Sequence, residues 1–142
     1  MTEASSSAAT AQASGPFDVK ITPQPTWEGV ADLAIGRMSI DKQYHGDLEA
    51  FGKGEMLTAG TEVKGSAAYV AIERVSGTLH GRAGTFALHH RGIMTRGDGQ
   101  LAISIVPDSG TGELAGVTGE MTITIANGKH SYALEYRLTE DP

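Results

Sequence analysis

The chain has 142 residues, no cysteine and a formal net charge of −6, with a pI near 5.3. That length predicts one domain with its own core. The composition excludes disulfides, thiolate metal sites and cysteine nucleophiles, and the acidic balance argues against nucleic acid or an anionic membrane as partner.

The chain opens on MTEASSSAATAQASG, small and polar, with neither a basic start nor an apolar run of signal-peptide length. Residues 1–16 therefore read as a disordered tail, and residues 17–142 as a single folded domain. No stretch approaches the ~18 apolar residues of a membrane-spanning helix, and a cytoplasmic protein is the expectation.

From Phe17 onward apolar residues alternate with polar ones, and glycines punctuate the pattern. Phe17, Val19 and Ile21 form a first alternating strand. Met38 and Ile40 belong to a second, which turns at Tyr44-His45-Gly46 as a three-residue loop with glycine in the left-handed position. That turn brings the row Ala50, Gly52, Gly54 and Met56 onto the same face. An even-length turn within Gly60–Gly65 adds Tyr69, Ala71, Glu73 and Val75. An even-length turn around Gly81-Arg82 then adds Phe86, Leu88, His90, Gly92 and Met94, and a two-residue loop within Arg96–Gly99 adds Leu101, Ile103 and Ile105.

The next segment, SGTGELAGVTGEMTITI, spaces Gly110, Gly112 and Ala115 like a dinucleotide loop. Such a loop needs a helix behind it, so that the helix N–H groups meet the pyrophosphate. Val117–Ile125 alternates as a strand instead, so these glycines read as turn and bulge residues. Asn127-Gly128 closes the last hairpin and sets Ile125 opposite His130, Ile123 opposite Tyr132, and Met121 opposite Leu134. A slip of one residue would send the two apolar rows to opposite faces.

About eight strands sharing one apolar face predict an all-β, antiparallel, mostly up-and-down barrel, because closure removes both the open edge and the exposed face. A β-sandwich is the alternative. The run GTGELAGVTG from Gly110 to Gly119 resembles the glycine turn of allene oxide cyclases and plant dirigent proteins. RMSIDKQYHGDLE (Arg37–Glu49), YVAIERVSG (Tyr69–Gly77) and VPDSGTG (Val106–Gly112) are similar to a bacterial family of unassigned function with that type of barrel, over nearly all of Phe17–Leu138. The resemblance implies an eight-stranded barrel of the allene-oxide-cyclase type, often oligomeric, with a lumen open at one end. It carries no catalytic residue across.

Glu73 is the first candidate for chemistry. It sits on the inward row, where an unpaired carboxylate is costly; a two-residue loop at Gly81-Arg82 makes His90 its cross-strand neighbour, and a longer even loop makes the two diagonal neighbours. Burial would raise the acid's pKa, and the pair could share or move a proton, or simply hold two strands in register. Tyr69, Phe86, Met94, Tyr132 and Tyr136 share the inward face and suit either a packed core or a pocket for an apolar molecule with one or two polar atoms. His89 and His90 leave opposite faces of one strand and cannot share a metal, so neither metal nor cofactor is expected. Val70 and Ile72 lie on the outer face and need cover, from the segment around Trp27 or from a second copy of the chain.

The expected function is a small barrel holding an apolar or amphipathic molecule in its lumen. The alternative is a cofactor-independent isomerase or cyclase using Glu73 and His90, and a purely structural module is the third reading.

Overall fold

A computed structural model describes residues 9–139. Eight strands run in chain order: β1 (Ala11–Gln24), β2 (Ile35–Tyr44), β3 (Leu48–Gly60), β4 (Ala67–Leu79), β5 (Arg82–Thr95), β6 (Asp98–Ile105), β7 (Val117–Ala126) and β8 (Lys129–Leu138). Each pairs antiparallel with the next, and β8 pairs with β1, so the meander closes into an eight-stranded barrel. Two short 3-10 turns, Glu28–Val30 and Gly112–Leu114, interrupt the connections.

Three hairpins use the same two-residue turn. His80-Gly81, Arg96-Gly97 and Asn127-Gly128 all place both central residues at positive φ, the geometry whose twist matches the strands it joins. Glycine is the second residue of each pair. A two-residue loop drawn at Gly81-Arg82 is therefore displaced by one position, because His80 takes a left-handed conformation and opens the turn. The β2–β3 turn also lies later than expected. Strand pairing persists to Tyr44↔Ala50, with His45–Asp47 between β2 and β3, so Ile40 faces Gly54 and not Ala50. Parity survives both shifts, and every expected inward row faces inward.

The barrel begins earlier than the sequence pattern suggests. Residues Ala11–Pro16, assigned above to a tail, form the first half of β1 and pair with Ser131–Tyr136 of β8. Residues 1–8 of that expected tail lie outside the described residues. The Ala11–Pro16 stretch lacks large apolar residues because its neighbours press close. Ala13 is 1% exposed, and a Cβ on Gly15 would fall 2.1 Å from the His45 carbonyl oxygen. A small-residue strand looks like a tail when read without its partner.

The two ends of the cylinder differ. The end bearing the β2–β3 and β4–β5 turns is packed solid by Leu48, Leu79, Phe86, Leu114, Val117 and Leu134. Leu114 arrives there on the Gly112–Leu114 turn, which is bonded to β5 through Thr111 N–H to the Thr85 carbonyl (2.8 Å) and Ala83 N–H to Glu113 Oε1 (2.8 Å). The glycine cluster is thus a crossover that caps the barrel, with Gly112 and Gly116 at positive φ and a strand, not an α-helix, behind them. The opposite end is open.

Candidate functional site

Glu73 enters the lumen from β4, where the strand's period of two turns Tyr69, Ala71, Glu73 and Val75 inward. Its carboxyl is 0% exposed, a position that partners must justify. Three side chains do so. Lys42 Nζ donates to Glu73 Oε1 at 3.1 Å, and His90 Nε2 lies 2.9 Å from the same oxygen. The Tyr44 hydroxyl donates to Oε2 at 2.5 Å and accepts from Lys42 Nζ at 3.3 Å. Lys42 is 6% exposed and His90 3%. Lys42 also stands 5.0 Å from the centre of the Phe17 ring, close enough for a cation–π attraction.

Glu73 and His90 meet, although not as direct cross-strand neighbours. The displaced β4–β5 turn puts Glu73 opposite Leu88, and His90 opposite Ala71. His90 reaches the carboxylate diagonally, within range of a long side chain. Gly52 on β3 makes room for the cluster: a Cβ there would sit 2.0 Å from Glu73 Oε2. Gly92 makes room in the same way for the Tyr69 ring, whose Cε1 would lie 2.4 Å from an added Cβ. These inward glycines are occupied by their neighbours' side chains and do not leave empty lumen.

Burial pushes the Glu73 carboxyl up and is the largest single influence on it. The hydrogen bond from His90, the charge of Lys42 and the hydrogen bond from Tyr44 together outweigh it, and the pKa ends below its ordinary 4.5. The sequence reading expected the opposite direction because it considered burial and His90 but not Lys42 and Tyr44. Tyr44 is pushed far up, first by burial and then by the charge of Glu73. It stays a neutral phenol and a hydrogen-bond donor.

On the mouth side of this cluster the lumen is hollow. All eight strands contribute to the wall of a cavity of about 160 Å³, which includes Phe17, Lys42, Met56, Tyr69, His90 and Leu101. It adjoins a second space of about 380 Å³ at the rim of β3–β6, lined by Met94 among others; Met56, Tyr69 and Leu101 border both. Lys42 and His90 belong to the cavity wall, whereas Glu73 and Tyr44 stand behind them.

The five residues proposed from sequence as a ligand-lining set divide between the two halves of the barrel. Tyr69 and Met94 border the open space. Phe86 lies opposite Val75 in the packed half. Tyr132 is a tie: its hydroxyl accepts from Leu48 N–H at 2.8 Å and donates to the His45 carbonyl at 2.8 Å. Tyr136 is hydrogen-bonded to His80 Nδ1 at 2.5 Å. Lys42 and Tyr44 are the functional candidates that sequence reasoning missed. The parity that turned Ile40 inward also turns Lys42 inward, whereas the turn expected at Tyr44-His45-Gly46 takes Tyr44 out of the strand that the structure extends to it. On the outer face Val70 and Ile72 are 49% and 55% exposed, and Trp27, 74% exposed, does not cover them.

Residues 13–136 match a family described as "Protein of unknown function (DUF3224)". The chain belongs to the DUF3224 family. A crystal structure of a DUF3224 protein of unknown function from Shewanella oneidensis MR-1 is 48% identical, covers 94% of this chain and 100% of that one, and superposes with a TM-score of 0.88. No curated protein matches the chain. The DUF3224 match begins at Ala13, inside the half of β1 that closes the barrel, and takes in Lys42, Tyr44, Glu73 and His90. Among the described residues no helix is long and apolar enough to cross a membrane.

Proposed function

We propose that this DUF3224 barrel binds an apolar or amphipathic small molecule in the open half of its lumen. The observation that carries the reading is a largely apolar chamber ending on a buried polar floor. The packed half and the Lys42–Glu73–His90–Tyr44 cluster close its inner end, while Met56, Tyr69, Met94 and Leu101 surround its entrance. Apolar walls with a few convergent polar groups are the usual make-up of a small-molecule site. Kinship with barrels of the allene-oxide-cyclase type is part of the proposal, supported by the strand count and the capping glycine turn.

Native mass spectrometry with a panel of fatty acids and alkylated aromatics tests the reading. One-to-one uptake is expected, and it should be abolished by Leu101→Trp, which fills the entrance from a half-exposed position. No uptake of any compound by the unmodified protein would reject it.

A second reading, cofactor-independent isomerisation or cyclisation, is favoured by the 2.9 Å contact between Glu73 and His90. In it His90 moves the proton. Glu73, held ionised by its partners, positions the ring. Self-association is a further part of the proposal, supported by the exposed stripe of Leu57, Val70, Ile72 and Ile93 on the outside of β3–β5. Light scattering after size exclusion should show a mass above that of one chain; a monomer at high concentration would remove this element.

A further inference from the structure

Lys42 is the one buried lysine of the chain, and its setting suits a covalent bond. Resting on the lumenal-binding reading, we infer that Lys42 captures an apolar aldehyde from the lumen as a protonated imine, with Glu73 as its fixed counter-charge.

A lysine is almost never buried without a partner. The Lys42 side chain is 5% exposed and belongs to the cavity wall together with Phe17 and His90, whereas Lys20, Lys53, Lys64 and Lys129 are all exposed. Two of the three N–H groups on Nζ serve Glu73 Oε1 (3.1 Å) and the Tyr44 hydroxyl (3.3 Å); the third has no acceptor among the described residues. A lysine amine held in an apolar pocket is a nucleophile toward carbonyl carbon.

Charge decides which product is stable. Lys42 ammonium and an aldehyde give a protonated imine and one water, so the cation is kept. In the product, as in the free protein, Glu73 faces a positive nitrogen. Acylation of the same amine would remove that charge and leave a buried carboxylate unpaired, a costly state. Before nitrogen can attack, one proton must leave Nζ, and Glu73 Oε1 is within reach to take it. Glu73 then returns it to the carbinolamine oxygen, which departs as water as the C=N bond forms. The remaining N–H bonds to Glu73 Oε1, and Tyr44 keeps its own bond to Oε2. The rings of Phe17 and Tyr44 stand 5.0 and 5.5 Å from Nζ. An aldehyde, whose carbonyl carbon carries a hydrogen, fits between them better than a ketone with a second chain.

The test incubates the full chain with 4-pentylbenzaldehyde and sodium cyanoborohydride, which reduces an iminium to a stable secondary amine, and locates the adduct by peptide mass spectrometry. 4-Pentylphenol has a similar shape but cannot form an imine, so it reports non-covalent occupancy by native mass spectrometry. Lys42 is expected to carry at least about ten-fold more adduct than any exposed lysine, because a bound aldehyde is held beside its amine. Excess phenol should suppress labelling of Lys42 and leave the exposed lysines unchanged. Lys42→Arg keeps a positive charge beside Glu73 without an amine that can form an imine; it should lose the dominant adduct and still take up the phenol. Should that variant fail to fold, the adduct distribution on the unmodified protein, with and without phenol, decides alone. Phenol uptake with Lys42 labelled no more than the exposed lysines would overturn the imine inference and leave lumenal binding intact. Absence of both phenol uptake and Lys42 labelling, together with a failed ligand panel, would remove both.

Discussion

Lys42 and Glu73 stabilise the barrel only as a pair. Glu73→Gln leaves the lysine ammonium in the lumen without its counter-charge, and breaking a buried pair in this way costs about 3–5 kcal/mol. Lys42→Met combined with Glu73→Gln removes both charges and should be distinctly milder than Glu73→Gln alone, read from urea denaturation midpoints. Gly52→Ala places a methyl 2.0 Å from Glu73 Oε2, and three hydrogen bonds hold that carboxylate in place. A loss of about 1–3 kcal/mol is expected, the usual range for overpacking a core. The pH dependence follows from the lowered carboxyl. Folded Glu73 keeps its charge to lower pH than unfolded Glu73, so the pair's contribution is complete above about 4.5 and disappears as pH falls through the lowered folded value. The unmodified protein should lose stability on acidification below pH 4.5 more steeply than the double variant. Identical acid profiles would mean that Glu73 is not ionised in the fold.

At the level of the strands, the seams are unequal. β3, β4 and β5 are joined by thirteen paired positions on each side of β4, whereas β6 and β7 share only Ile103↔Met121 and Ser104↔Glu120. Hydrogen–deuterium exchange should be fastest along the β6–β7 seam and slowest in β4, because short ladders open at lower free energy. Uniform protection around the barrel would contradict that order. The β8–β1 seam depends on Ala11–Pro16, which hold no large apolar side chain. A chain beginning at Phe17 would lack the partners of Ser131–Tyr136 and expose a strand edge, so aggregation or unfolding is expected by light scattering and circular dichroism. The same residues show how much was legible. Parity could be counted along the chain because each hairpin preserves it, and the inward rows emerged correctly. Register could be counted at Asn127-Gly128, where Ile125 pairs with His130, Ile123 with Tyr132 and Met121 with Leu134 as expected, but not at the earlier turns. Whether His80 or Gly81 opens a turn is decided by which residue accepts positive φ, and histidine does so here. Lys42 stayed hidden because a charged residue between Ile40 and Tyr44 reads as solvent-facing until Glu73 is placed beside it.

For the molecule as a whole, the division into a solid half and a hollow half underlies the functional reading. A barrel of eight strands can be filled by its own side chains or can hold one small ligand, and this one does the first at one end and has room for the second at the other. The fold alone names no activity, since related barrels host unrelated chemistries. What points to a ligand is local: a lysine and a histidine, both bonded to the buried Glu73, stand on the wall of an apolar chamber. The most direct test is a crystal structure grown with 4-pentylphenol. The molecule should lie inside the lumen with its hydroxyl at the floor that Lys42 and His90 form and its alkyl chain running out past Tyr69 and Leu101. A lumen closed by collapse of Tyr69 and Met56, with the phenol bound only on the outer wall, would contradict it.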